Sequence, residues 1–150
     1  MRVLHAGGAL DAQLEQQAQA EMATSPRYHW LGELPHWRAR RLIARSRLLV
    51  LSSRSEGGAN VVGEAVTAGV PLLASAIPGT IGLLGPDYPG YFPVGDAAAL
   101  AALLHRAEID KAYLAALEEA AAAVAPRFHP AREREAWRSL LAELGAGGAN

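Results

Sequence analysis

The stretch from Leu48 to Ser75, LLVLSSRSEGGANVVGEAVTAGVPLLAS, decides the fold. Leu48-Leu49-Val50-Leu51 is a continuous apolar run, the pattern of a strand covered on both faces. A polar loop from Ser52 to Asn60 follows, with Gly57-Gly58 inside it. Asn60 is placed as the N-cap of a helix carrying Val61, Val62, Ala65 and Val66. Gly69 ends that helix, and Pro71 to Ala74 is the next buried strand. Strand, loop, helix and strand in this order form a βαβ unit, which needs a parallel sheet.

The same alternation extends in both directions. Arg2 to His5 is a short apolar run closed by Gly7-Gly8, and Leu10 to Met22 reads as a helix stopped by Pro26. Tyr28 to Leu31 is an aromatic-rich strand closed by Gly32. Pro35 stands in the first turn of a helix whose apolar face is Trp37, Leu42 and Ile43. Tyr91 to Val94 is a further strand candidate, and from Asp96 the chain is helical. Leu100, Leu103, Leu104 and Ala107 share one stripe, as do Tyr113, Leu114 and Leu117. Trp137, Leu140, Leu141 and Leu144 give the last helix a docking face. The expected fold class is α/β: a doubly wound, Rossmann-like parallel sheet of about five strands with a helical C-terminus. Residues 1–144 are read as one domain and 145–150 as a flexible tail.

Composition narrows the function classes. At 150 residues there is room for one domain rather than two, and with 51% hydrophobic and 19% charged residues it can bury a sizeable core. A formal net charge of -1 argues against nucleic-acid binding by bulk electrostatics. The absence of cysteine excludes disulfides, zinc-thiolate sites and a cysteine nucleophile. No apolar run approaches the ~20 residues that span a bilayer. Met1-Arg2-Val3-Leu4 runs into His5-Ala6-Gly7-Gly8, too short an apolar core for a signal peptide. The expectation is a soluble cytoplasmic domain with no membrane span.

In an open parallel sheet, ligands bind beyond the carboxyl ends of the strands. Two loops have that position: His5 to Gly8, and Ser52 to Asn60. In the second, Gly57 and Gly58 let a backbone approach a ligand, and the helix beyond them offers unpaired N–H groups suited to phosphate or diphosphate. Glu56 precedes the glycines, and Glu64 lies about one turn inside the helix. Two carboxylates bracketing a row of amides match a nucleotide-sugar, with hydroxyls at both ends and diphosphate between. A tight turn followed by a dipole-favoured glutamate explains the same residues without a ligand, so both readings stand at this point.

The stretch Glu56-Gly57-Gly58-Ala59-Asn60-Val61-Val62-Gly63-Glu64 resembles the paired-glutamate motif of family 4 GT-B glycosyltransferases, also called group 1. AVTAGVPLLAS at 65–75, and Tyr91 to Asp96 with Leu100, resemble the segments that follow the donor site in that family. RYHWLGELPHW at 27–37, SSRSEGGANVV at 52–62 and LLGPDYPGYFPVGD at 83–96 are similar to the selenosugar synthases of selenoneine biosynthesis, which join a UDP-sugar to the selenium of selenophosphate.

The resemblance implies that Glu64 binds the donor ribose and that Glu56 faces the transferred sugar as the catalytic-site carboxylate. It implies a diphosphate cradle from the amides of Gly57, Gly58, Ala59 and Asn60, a glycine-rich loop at Gly7 and Gly8, and base contacts near Leu31 to Leu34. The partner is then a UDP-sugar such as UDP-GlcNAc, and no metal or other cofactor is expected. The chain would be the C-terminal half of the two-domain fold, without the N-terminal acceptor domain and without its own first strand. The family's Arg/Lys pair for the diphosphate belongs to that missing segment. Departures from the family pattern fall at Gly58 and Ala59, where an aromatic and a glycine are common, and at Gly82, often acidic.

Arg54, two residues before Glu56, is compatible with contacting phosphate or acceptor and equally with pairing to Glu56. Arg38, Arg40, Arg41, Arg45 and Arg47 read as a solvated helix face in preference to an RNA patch. Histidines 29, 36, 105 and 129 show no metal-ligand spacing, and there is no Asp-x-Asp. Trp30, Trp37 and Trp137 are expected to pack. Ser52-Ser53 lacks the Gly-x-Ser-x-Gly elbow of a hydrolase. The alternative from another class is a non-catalytic nucleotide-binding or regulatory α/β domain; a receiver-like module would need an acidic cluster where His5-Ala6-Gly7-Gly8 stands.

Overall fold

The computed structural model describes residues 1–56 and 60–146. Strands and helices alternate as β1 (Val3–His5), α1 (Ala12–Thr24), β2 (Tyr28–Trp30), α2 (His36–Ala44), β3 (Leu49–Leu51), α3 (Asn60–Thr67), β4 (Leu72–Ser75), α4 (Pro78–Leu84) and β5 (Tyr91–Phe92). Then come α5 (Ala97–Ile109), α6 (Lys111–Val124), a 3-10 turn at Ala125–Phe128 and α7 (Pro130–Ala146). This is the α/β, Rossmann-like alternation that the apolar runs predict. The chain divides into two compact units, Met1–Arg45 and Ser46–Asn150.

In the first unit β1 and β2 pair in parallel, with Val3 opposite Tyr28 and His5 opposite Trp30. Helix α1 lies against β2. It begins two residues later than its apolar pattern because the Asp11 carboxylate caps it, accepting from the Leu14 amide at 2.8 Å. In α2, Ile43 is buried, whereas Trp37 is 56% exposed and lies under the Arg38 guanidinium, 5.1 Å from its ring centroid. The expectation that Trp37 packs into the core is therefore corrected. The Arg38 guanidinium covers one face of the exposed ring.

The second unit is built on a three-stranded parallel sheet in the order β3-β4-β5. The central strand β4 is buried along its whole length, and Val62, Val66, Leu84, Phe92 and Leu117 join it in the core. Strand β3 is not covered on both faces as its apolar run predicts: Val50 is 37% exposed, since β3 is an outer strand of this ladder. Beyond the start of β5, the Tyr88 phenol continues the ladder. It accepts from the Leu72 amide at 2.9 Å and donates to the Leu72 carbonyl at 3.1 Å.

Helices α5 and α6 pack together, capped by Asp96 and Asp110 at their starts. Tyr113, Leu114 and Leu117 of α6 are buried, as the stripe predicts, and Ala121 and Val124 are buried with them. In α7 the stripe is present but uncovered: Trp137 is 58% exposed and Leu140, Leu141 and Leu144 are exposed with it. The expectation that Trp137 packs is corrected, because nothing among the described residues covers this face. Helix α7 continues through Gly145 to Ala146, and the remainder of the expected tail lies outside the described residues. Among the described residues no helix is long and apolar enough to cross a membrane.

Candidate functional site

The loop after β3 leaves the carboxyl end of the sheet and is held there by buried hydroxyls. Ser75, the last residue of β4, is fully buried, and its hydroxyl donates to the Ser53 carbonyl at 2.5 Å. The Ser75 carbonyl in turn accepts from the Thr80 hydroxyl at 2.6 Å, and that oxygen takes the Ile77 amide at 3.3 Å. The Tyr91 phenol bonds the Thr80 and Gly85 carbonyls at 3.1 and 2.9 Å, one at each end of α4. No buried side-chain polar atom among the described residues is left without a partner.

This frame carries Glu56. Its carboxylate accepts a short hydrogen bond from the Ser53 hydroxyl, and both residues are half-buried. Its carbonyl oxygen lies so close to Gly79 of α4 that a β-carbon at that position would overlap it. Among the described residues the Glu56 carboxylate is bonded by Ser53 and forms no ion pair with Arg54, whose side chain is exposed.

Helix α3 takes the loop's far end. Asn60 is its first helical residue rather than a cap outside it. Val62, Ala65 and Val66 are buried, and Glu64, two residues from both valines and so about 200° around the helix, is half-buried. Gly63, next to Glu64, has a packing role: a β-carbon there would sit 2.9 Å from the Phe128 ring of the 3-10 turn. The structure thus sets Glu56 and Glu64 at the two ends of the loop and first turns of α3. Gly57, Gly58 and Ala59 lie outside the described residues.

The first unit holds the other expected loop. Gly7 has φ +149° with open space beside it, its amide donates to the Gly32 carbonyl at 2.9 Å, and its carbonyl accepts from Trp30 Nε1 at 2.9 Å. Gly8 faces Glu33, whose carboxylate would lie 3.9 Å from a β-carbon at Gly8. The Tyr28 hydroxyl and His5 Nδ1 are hydrogen-bonded at 2.6 Å. Burial, and then the Glu21 charge, raise the Tyr28 phenol above its ordinary range.

Sequence reasoning passed over Ser53, Ser75 and Gly79, the residues that touch Glu56 or hold what touches it. Serine at the end of a buried strand is a signal, because a hydroxyl there must find a partner. The partner lies 22 residues away, and only the fold identifies it.

A family model, glycosyl transferases group 1, matches residues 2–124. Among solved structures, HepE from Anabaena in complex with UDP-glucose is similar with a TM-score of 0.78 at 21% identity, over 95% of this chain and 41% of that one. Sucrose-phosphate synthase from Thermosynechococcus elongatus is similar with a TM-score of 0.68 at 24% identity, over 95% and 39%. The pneumococcal O-GlcNAc transferase GtfA, in complex with UDP and GlcNAc, is similar with a TM-score of 0.74 at 18% identity, over 95% and 29%. The chain therefore spans about two fifths or less of these proteins, and its fold is that of one half of a GT-B transferase. A comparison with curated protein sequences returned no match. With the family model covering most of its length, and a parallel α/β frame to carry the paired glutamates, this chain belongs to the group 1 glycosyltransferases.

Proposed function

We propose that this chain is the donor-binding half of a family 4 type GT-B glycosyltransferase that takes its sugar from UDP. The observation that carries the reading is the placement of Glu56 and Glu64 at the two ends of one loop-to-helix transition, beyond the carboxyl end of β3. Structures of similar fold in complex with UDP and UDP-glucose support it.

In this reading Glu64 accepts hydrogen bonds from the donor ribose and Glu56 faces the transferred sugar. Gly57, Gly58, Ala59 and Asn60 hold the diphosphate with their amides, aided by the positive end of the α3 dipole. Gly7 and Gly8 are assigned to donor binding on the resemblance alone. Arg54 is exposed on the same loop as Glu56 and is assigned to phosphate or acceptor. As the bond to the sugar breaks, the departing diphosphate gains charge, and donors aimed at it lower the barrier. No metal is assigned to this work. The acceptor belongs to a preceding domain, so the chain alone is expected to bind donor without turnover.

The finer assignment is UDP-GlcNAc as donor and selenophosphate as acceptor, in the cytoplasm. It rests on the likeness of 27–37, 52–62 and 83–96 to selenosugar synthases. Calorimetry with UDP tests the site. Glu64→Ala removes a charged hydrogen-bond acceptor, which costs about 1.5–3 kcal/mol, or roughly 10- to 100-fold in affinity. Unchanged UDP affinity with an intact fold would take Glu64 out of the site. Turnover of the full-length transferase with UDP-GlcNAc and selenophosphate tests the acceptor.

A further inference from the structure

Glu56 is fixed from two directions, its carboxylate by Ser53 and its backbone by Gly79, residues that no catalytic argument requires. The Ser53 hydroxyl donates to it, and the Ser53 backbone is itself tied to the buried Ser75 hydroxyl at 2.5 Å. From the other side, the Glu56 carbonyl rests against the bare α-carbon of Gly79. Gly79 does not have a positive φ, so its missing side chain answers to space and not to backbone conformation. A methyl group at Gly79 would meet the Glu56 backbone, whereas at Gly82 in the same helix it would meet nothing, so the close approach is particular to Gly79.

We propose that Ser53 and Gly79 are positioning residues for Glu56, with Ser75 as the anchor of Ser53. They hold the carboxylate toward the sugar of the donor and have no part in holding the nucleotide. A flexible glutamate loses rotamer freedom whenever it contacts a ligand; a pre-bonded one has already lost it, so more of the contact appears as affinity. Ser53 serves this purpose without adding charge. The proposal rests on the donor-site reading given above.

The test compares UDP-GlcNAc with UDP as probes, by calorimetry on this chain, so that the sugar's share of the affinity is read directly. Glu56→Gln is the reference variant. Ser53→Ala is expected to reduce the preference for UDP-GlcNAc over UDP by about tenfold, equal to ~1.4 kcal/mol, with UDP affinity unchanged. Ser53→Thr keeps the hydroxyl and restores the preference. Gly79→Ala, which forces the Glu56 carbonyl outward, is expected to lower the melting temperature and to produce the same selective loss of preference with UDP affinity kept.

If Ser53→Ala and Gly79→Ala keep the preference while Glu56→Gln loses it, the positioning role is overturned and the site reading stands. Equal loss of both probes in Ser53→Ala also overturns it, since that marks general damage to the loop. A preference that Ser53→Thr does not restore does the same. If the wild-type chain binds both probes equally, or Glu56→Gln leaves the preference intact, the assignment of Glu56 to the sugar fails and the proposal falls with it.

Discussion

The loops after β1 and after β3 begin alike, each leaving a short parallel strand and running into glycines, yet they are supported in different ways. The loop after β3 hangs on β4, whose four residues are all buried, through the Ser75 hydroxyl, and the Ser75 carbonyl is in turn held by the Thr80 hydroxyl. The loop after β1 leaves a strand whose three residues are all exposed, and it is tied by backbone bonds and the Trp30 indole. A glycine-rich turn marks where a ligand fits; the strand beside it sets how stiffly the turn is held. Ser75 is fully buried, so its hydroxyl has no water to turn to, whereas the exposed strand β1 gives its loop no such anchor.

The largest test of this contrast is in the strands. Leu73 in β4 is fully buried, and Leu73→Ala should destabilise the chain by about 2–5 kcal/mol in denaturant unfolding, through lost transfer energy and the cavity left behind. Val3→Ala in the exposed β1 should cost under about 1 kcal/mol. Similar losses from both would mean that the two loops rest on equally firm strands.

Tyr88 sharpens the comparison with an intermediate effect. Its phenol bonds both the amide and the carbonyl of the fully buried Leu72, so Tyr88→Phe strands two buried groups at a cost of about 1–3 kcal/mol. Burial pushes the Tyr88 phenol up to about 12 from 10.0. The sign follows from linkage: a folded-state value above the unfolded one gives stability that is complete below pH 10 and is lost as pH climbs toward 12. Wild-type stability should fall across that window, and Tyr88→Phe should flatten part of the fall. Tyr28, Tyr91 and Tyr113, also raised chiefly by burial, contribute in the same direction. An unchanged alkaline slope in the variant would show that the Tyr88 phenol does not control it.

Much of this frame was legible in the residues. The runs at 48–51 and 71–74 and the punctuating glycines marked the strand–helix alternation and the parallel pairing, while the strands pair as two ladders, β1-β2 and β3-β4-β5, where one sheet of about five strands was expected. What escaped was of two kinds. The first is coverage: periodicity shows which side of α7 is apolar, but whether Trp137 and Leu140 are covered depends on what lies against them. The same holds for Val50 at the edge of its sheet. The second is long-range polar contact. Nothing local in Ser53 or Ser75 tells that one holds the other across 22 residues. Paired glutamates are visible because they recur in a motif; the hydroxyls and the Gly79 surface that lie against one of them appear only when β3 and β4 lie side by side.

The smallest expected effect is at Trp30, and it bears most directly on how the β1 loop is held. The indole Nε1 donates to the Gly7 carbonyl at 2.9 Å, in a half-buried setting. Trp30→Phe keeps a large aromatic ring on β2 and removes the donor. The Gly7 carbonyl then turns to water, so the cost should sit at the low end of the 0.5–1.5 kcal/mol usual for one net hydrogen bond. Three other ties remain: the Gly7 amide on Gly32, the Leu31 amide on His5, and the Tyr28 and His5 side chains on each other. Global stability should therefore barely move, while the Gly7 amide exchanges with solvent faster, since its opening is local. Hydrogen exchange at Gly7 and Leu31 reads the two ties separately. Faster exchange at Gly7 with Leu31 unchanged would identify the indole as the brace of the glycine turn alone. A loss as large as that of Tyr88→Phe would place the two loops on the same footing and break the comparison.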